Sequence, residues 1–162
     1  MKISNPLGRP YPLGVQTQLI IVKTVNESVN NSTVLQNDDE LFFAMAANEV
    51  WCIRGGLFCQ SPTAAPDVKI GFSVPAAAIS EAFSICPNAA GSVVAGMTNE
   101  VQSLVVGAVA AAEAALVHFS IGVRNGANAG NWQLQWAQNV AAIENTQVNA
   151  GSFLIAERIS PL

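Results

Sequence analysis

Ionised side chains are scarce in this chain. Only 11% of its 162 residues are charged, whereas 51% are hydrophobic, and a typical soluble domain carries about 25% charged residues. Such a surface has few ions to keep copies of the chain apart. A single domain of this length still leaves about 30% of its chain surface exposed. The composition therefore predicts one domain that hides part of its apolar surface in a homo-oligomer.

Basic residues are also few. The chain has seven Lys and Arg residues, scattered along it, with a net charge of −4 and a pI near 4.8. Nucleic acid binding needs clustered cations, so we expect no nucleic acid partner. The longest apolar run, "LVVGAVAAAEAALVHF", is shorter than the roughly 18 residues of a membrane span and contains Glu113. No apolar run follows Lys2, so we expect neither a signal peptide nor a membrane partner.

Residues that carry catalysis are rare. The chain has one histidine and no phosphate-binding glycine loop, "HExxH" or CxxC motif. We interpret His118, in "ALVHFSIGV", as a strand residue. The spacing of Cys52 and Cys59 places them on opposite faces of one strand, so they and Cys86 are predicted to be reduced, buried small hydrophobes. The sequence thus predicts no enzyme, no cofactor and no metal centre.

One acidic cluster has two interpretations. The "NDDE" segment, residues 37–40, contains carboxylates of the kind that bind calcium. It also lies in a polar stretch just before the apolar "LFFAM". We favour a solvated turn over a calcium site.

What the sequence does have is a succession of short strands separated by turn residues, which is typical of antiparallel all-β folds. Residues 1–14 contain three prolines and no periodicity, and they are predicted to form an extended N-terminal arm. Residues 15–162 are predicted to form a single β-sandwich domain. The predicted strands are "VQTQLIIVKTV", "LFFAM", "EVWCIRGGLFCQ", "DVKIGFSV", "PAAAISEAFSICP", "EVQSLVVGAV", "ALVHFSIGVRNG", "NWQLQWAQN" and "GSFLIAERI".

Three connections are assigned from local signals. "NAAGSVVAG" is predicted to be a loop of small residues. "AVAAAEA" has helical propensity, but its β-branched and aromatic flanks favour a turn region between strands. "RNGANAGN" is predicted to close a β-hairpin, because Asn and Gly tolerate positive φ.

The stretch "GNWQLQWAQN" places aromatic and aliphatic residues at every second position. Trp132, Leu134 and Trp136 alternate with Gln133 and Gln135. The two tryptophans fill either the sandwich core or a subunit interface, and we favour the core. The amides, together with Gln138, can hydrogen-bond across strands or subunits without the desolvation cost of ions.

Three segments together resemble a group of small bacteriophage and prophage virion proteins. They are "VNNSTVLQNDDELFFAMAANEVWCIRGGLFCQSPTAAPDVKIGFSVPA", "IGVRNGANAGNWQLQWAQN" and "AGSFLIAERI". The resemblance covers roughly residues 25 to 158, and "LQWAQN" is its most specific part. Here "SVPAAA" lacks the glycine usual in that group, and "AISEAFSIC" has no counterpart in it.

The resemblance implies a jelly-roll-like β-sandwich that assembles on a virion as a homotrimer. The role we favour is a capsid decoration, or cement, protein on the capsid surface, made in the host cytoplasm, with the major capsid protein or neighbouring virion subunits as partner. A tail fibre, spike or minor tail component is the first alternative. A glycan-binding module, which would use exposed aromatics as sugar platforms, is the second.

The arm supports the decoration role. It combines stiff prolines with apolar side chains, so it loses little entropy on binding. We predict that it docks on the capsid or a neighbouring subunit. The residues predicted to make this contact are Ile3, Pro6, Leu7, Pro10, Tyr11, Pro12 and Leu13.

Overall fold

The computed structural model of the chain describes residues 17–63, 66–87, 93–98, 104–106 and 114–161. The predicted arm and the "AVAAAEA" segment, apart from its last residue, lie outside these ranges. Twelve strands fall within the described ranges. They are β1 (Gln18–Val22), β2 (Glu27–Val29), β3 (Gln36–Met45), β4 (Glu49–Gln60), β5 (Val68–Ser73), β6 (Ile79–Pro87), β7 (Val93–Thr98), β8 (Leu104–Val106), β9 (Ala115–Arg124), β10 (Gly130–Gln138), β11 (Thr146–Val148) and β12 (Phe153–Pro161).

The strands form two sheets. The large sheet has the order β1-β12-β4-β9-β6-β7, with β11 and β2 joined to β4, and the small sheet has the order β3-β10-β5-β8. Every pairing between described strands is antiparallel. The predicted all-β antiparallel sandwich is therefore confirmed. The described ranges contain no helix of the length and apolarity that a membrane crossing requires.

Strand alternation places the core between the sheets. In β4 the buried side chains include Trp51, Ile53, Leu57 and Cys59, every one of them at an odd position. β4 pairs with β9 without interruption from Val50↔Arg124 to Cys59↔Ala115. These two long central strands form the base on which the small sheet packs.

The indole of Trp132 lies at the centre of the sandwich. Its ring stacks at 5.8 Å on Phe43 and at 5.7 Å on Phe72, both in the small sheet, and at 6.3 Å on Phe119 of the large sheet. The three pairs are inclined by only 22–27°. Offset aromatic pairs at these distances add to the hydrophobic stabilisation of burial, so this stack joins the two sheets.

The predicted hairpin at "RNGANAGN" is wrong. β9 belongs to the large sheet and β10 to the small sheet, so residues 125–129 cross from one sheet to the other. The crossing lies beside the β3–β4 connection, which crosses in the opposite direction. Asn125 Nδ2 donates to Ala46 O at 2.6 Å and to Asn128 O at 2.9 Å, and Asn48 N donates to Gly126 O at 2.8 Å. The Asn and Gly residues serve a corner between sheets rather than a two-strand turn.

Two predicted loops contain strand. In "NAAGSVVAG", β7 begins at Val93 and pairs with β6. The "NDDE" segment is not a solvated turn, because it lies inside β3. Opposite it, Gln133 pairs with Phe42 and Gln135 with Asn37, so β3 bulges between these positions. The bulge turns Asp38 inward, where it is buried.

Two glycines of the large sheet allow a matched test of packing. A Cβ at Gly55 would lie 2.4 Å from both Phe119 Cζ and the carbonyl oxygen of Phe153, whereas a Cβ at Gly122 would meet no atom within 4 Å. We expect Gly55→Ala to lower the free energy of unfolding by about 1–3 kcal/mol, because the carbonyl oxygen of Phe153 must move to make room for the new Cβ. Gly122→Ala should change it by no more than about 0.5 kcal/mol. Urea unfolding measures both, and equal effects would contradict the close packing at Gly55.

Candidate interaction surfaces and a buried lysine cluster

The structure places the aromatic face of β10 in the core. Trp132, Leu134 and Trp136 are all fully buried. The indole nitrogens of Trp132 and Trp136 have no hydrogen-bond partner among the described residues. Trp51 is also buried, and its indole nitrogen donates to Glu49 Oε2 at 2.9 Å. No tryptophan is therefore exposed as a platform for a sugar ring.

The glutamine amides of β10 are hydrogen-bonded inside the molecule. Gln133 Nε2 donates to Asp38 O at 2.8 Å and fills the bulge of β3, and Gln135 Nε2 donates to Asn37 Oδ1 at 2.9 Å. Gln138 is fully buried, donates to Glu144 O at 2.7 Å and accepts from Ala142 N at 3.0 Å. These amides join strands and loops of one chain.

Several exposed apolar side chains lie on the outer face of the large sheet, and others, such as Val34 and Ile143, lie in loops. In β6 the residues Ile79, Phe83 and Ile85 point outward, and in β1 the residues Ile20 and Val22 do so. We call the set Ile20, Val22, Ile79, Phe83, Ile85 and Ile159 the apolar face. Ile20 and Phe83 are 64% and 50% exposed, and β12, β4 and β9 lie between their two strands.

Polar groups are interspersed on the same face. Arg54 Nη2 pairs with Glu157 Oε2 at 2.9 Å, and Gln18 Nε2 donates to Glu157 Oε1 at 2.8 Å. A shallow depression of about 320 Å³ lies around Gly122, and its lining includes Cys52, Glu81 and Arg124. His118 is an exposed residue of β9 on this face, and its interpretation as a strand residue is confirmed.

The predicted opposite faces of Cys52 and Cys59 are confirmed, but the prediction that all three cysteines are buried is wrong for Cys52, because its face of β4 is the outer one. No disulfide links the three cysteines; Cys59 and Cys86 are buried in the core, whereas Cys52 is partly exposed on the outer face of the large sheet. Burial raises the pKa of the Cys59 thiol well above its ordinary value. A buried thiol of this kind is a small hydrophobe and a poor nucleophile.

One lysine is fully buried with three carboxylates around it. Lys23 Nζ lies 2.8 Å from Glu27 Oε2, 3.0 Å from Asp38 Oδ2 and 3.8 Å from Glu40 Oε2. We call these four residues the lysine cluster. Lys23 immediately follows β1 of the large sheet, and Asp38 and Glu40 belong to β3 of the small sheet. The cluster therefore joins the edges of both sheets.

Hydrogen bonds hold each carboxylate in place. Glu40 accepts from Thr24 N and Val25 N, and Glu27 Oε2 accepts from Asp39 N at 3.2 Å. The hydrogen bonds from Thr24 lower the pKa of Glu40. Burial alone would lower the pKa of Lys23, but its hydrogen bonds to Glu27 and Asp38 outweigh that effect and raise it. The ammonium–carboxylate state is thus favoured.

The cluster changes the interpretation of "NDDE". The ammonium of Lys23 lies where a cation would bind, and no group of three His, Cys, Asp or Glu side chains among the described residues has the arrangement of a metal site. Sequence reasoning missed Lys23. The available signal was strand alternation, which places Lys23 on the same inward face as Leu19 and Ile21. A lysine at such a buried position needs carboxylates as partners.

No family model and no curated protein matches the chain. Similar solved structures include those of the infectious bursal disease virus Gt strain, at 11% identity and a TM-score of 0.25, and Gx strain, at 12% and 0.25. The VP2 subviral particle of the same virus gives 8% and 0.26. These matches cover 89%, 97% and 91% of this chain, but the chain spans only 39%, 46% and 43% of theirs. Similarity at this level carries no argument about fold or function.

Removing the buried cation of Lys23 should lower the free energy of unfolding more than removing the exposed cation of Arg54. Lys23→Met leaves Asp38 buried without its cation, so the free energy of unfolding should fall by about 3–5 kcal/mol. Arg54→Met removes the cation of the exposed Arg54–Glu157 pair and should cost no more than about 1 kcal/mol. Urea unfolding near neutral pH checks both variants. A small loss for Lys23→Met would mean that the cluster contributes little to the sandwich.

Proposed function

We propose that this chain is a non-enzymatic structural protein of a virion, and specifically a capsid decoration protein that binds the head shell as a homotrimer. The observation that carries the proposal is the apolar face, which leaves large aliphatic and aromatic side chains exposed in a chain with 11% charged residues. A surface of this kind favours association with another protein surface. The resemblance of residues 25 to 158 to small phage virion proteins supplies the virion context.

The apolar face is a better trimer contact than the amide-rich face of the small sheet. Gln133 and Gln135 already donate within the chain, so packing copies there would gain little hydrogen bonding. Burying Ile20, Phe83 and Ile79 would remove much apolar area from water, at about 25 cal/mol per Å². We therefore assign the contact between copies to the large sheet.

Decoration is favoured over a tail component because of residues 1–14. Their three prolines and apolar side chains suit a segment that lies along another protein. The major capsid protein is the partner that a decoration protein requires. A glycan-binding role has less support, because all three tryptophans are buried and a sugar platform needs an exposed ring.

Substituting two exposed phenylalanines, one on each sheet, tests whether copies of the chain associate through the apolar face. Light scattering at micromolar concentration should give the mass of a trimer. Phe83→Asp on the large sheet should yield monomers, because it places a charge in the proposed contact. Phe42→Asp, on the outer face of the small sheet where Phe42 is 41% exposed, should leave the trimer intact. A wild-type monomer that persists at high concentration would exclude the homotrimer, and dissociation by Phe42→Asp alone would move the contact to the small sheet.

Capsid binding tests the decoration role separately. Deleting residues 1–14 should leave a folded trimer that no longer binds undecorated heads, since the arm supplies the contacts to the shell. Heads decorated with the full chain should resist heat better than bare heads. Co-sedimentation and thermal release of the genome measure the two effects. Equal binding by the truncated protein, or unchanged heat resistance, would favour the tail component over the decoration protein.

A further inference from the structure

The lysine cluster contains more than an ion pair requires. Lys23 and Asp38 have no exposed side-chain surface, and Lys23 Nζ lies 3.0 Å from Asp38 Oδ2. A primary amine beside a carboxyl group can in principle condense with it to an amide. Three further features of the cluster are those that such a reaction needs: a stabilised oxygen, a leaving oxygen and a base.

The first two features belong to the carboxyl group of Asp38. Its Oδ1 accepts hydrogen bonds from Glu40 N at 3.0 Å and from Leu41 N at 2.9 Å, both in the bulge of β3. Two backbone N–H groups on one oxygen stabilise the negative charge that develops there when a nucleophile attacks the carbon. Its Oδ2 is buried, and its polar contact among the described residues is the Lys23 ammonium at 3.0 Å. Oδ1 is thus held, and Oδ2 is the oxygen that can leave.

The base is Glu27. Its Oε2 lies 2.8 Å from Lys23 Nζ, within direct proton-transfer distance. Its Oε1 accepts from Gln36 Nε2 at 3.0 Å, which orients the carboxylate. The Glu27 side chain is 15% exposed, so it also borders the solvent. A released water molecule therefore has a way out beside it.

We propose that Lys23 and Asp38 form an intramolecular isopeptide bond, with Glu27 as the base and proton carrier. The ammonium of Lys23 gives one proton to Glu27, and the resulting amine attacks Cγ of Asp38. The N–C bond forms, and the negative charge on Oδ1 is stabilised by the two backbone N–H groups. Glu27 delivers that proton to Oδ2, then takes a second proton from the attacking nitrogen and gives it to the same oxygen. The Cγ–Oδ2 bond breaks, and the ammonium and carboxylate have become an amide and one water molecule.

The protonation state of Lys23 before the reaction limits the reaction rate. Glu27 and Asp38 favour the ammonium form of Lys23, so the amine that attacks is a minor species. We therefore expect the bond to form slowly after folding, at a rate that changes little with pH while Lys23 keeps its proton, because that proton passes to Glu27 and then to Oδ2 and stays within the cluster. The unfolded chain should not form it, because only folding brings β1 and β3 together.

The bond would tie the two sheets covalently. Lys23 follows β1 at an edge of the large sheet, and Asp38 lies in β3 at an edge of the small sheet. A covalent link between them restricts the unfolded chain as a disulfide does, but it does not depend on redox conditions. This inference does not rest on the virion role, and either can fail without the other.

The test is the intact mass of the purified full chain in denaturant. We expect a mass lower by one water molecule than the sequence requires, with or without Met1, and a proteolytic fragment that joins the peptides of Lys23 and Asp38. Samples incubated for longer in the folded state before denaturation should convert more completely. A mass equal to that of the sequence after prolonged incubation of the folded protein would overturn the proposal.

Two variants separate this bond from other dehydrations. Lys23→Arg keeps the positive charge but should show the full sequence mass, because the guanidinium stays protonated and is a poor nucleophile. Water loss that persists in Lys23→Arg would locate the dehydration elsewhere and overturn the proposal. Glu27→Gln, with folding checked by circular dichroism, should slow the mass change at least tenfold, as expected for loss of a general base. An unchanged rate in Glu27→Gln would overturn the role of Glu27.

Discussion

The sandwich depends on the packing of one side chain between its sheets. The indole of Trp132 contacts Phe43 and Phe72 of its own sheet and Phe119 of the other. The aromatic rings fill the space that strand alternation leaves between the sheets. Because Gly55 lacks a side chain, the ring of Phe119 also lies close against β4. The absence of a side chain at Gly55 therefore gives the Phe119 ring the room it occupies beside β4.

Buried polar side chains hold the segments that connect the strands at the edges and ends of the two sheets. Lys23 and its carboxylates bind the segment after β1 to the bulge of β3, Gln138 holds the loop before β11, and Asn125 holds the corner where β9 leaves the large sheet. Asn125 and Gln138 also contact backbone atoms far away in sequence, Ala46 O and Ser32 N respectively. Breaking one of them leaves a buried polar atom unpaired, which costs more than the hydrogen bond contributes. These contacts specify one connection between strands among several that the hydrophobic pattern allows.

The two outer faces differ in a way that bears on assembly. The small sheet presents amides that are hydrogen-bonded to their neighbours, whereas the large sheet presents the apolar face with a few paired ions such as Arg54 and Glu157. Because only 11% of the residues are charged, few ions are available to keep the apolar face solvated. The division supports the proposed contacts between copies through the large sheet.

The sequence alone determined the fold class, the span of β4, the inward face of β10 and the opposite faces of Cys52 and Cys59, because strand alternation is a local property with a period of two. It did not determine which strands pair. The Asn and Gly residues near Asn125 suit a hairpin and a corner equally, since both need a change of direction, and only the packing of β10 beside β3 and β5 excluded the hairpin. The role of "NDDE" was likewise decided by tertiary structure. Its carboxylates suit a solvated turn until a buried ammonium lies among them, and Lys23 comes there only when the edges of two sheets meet.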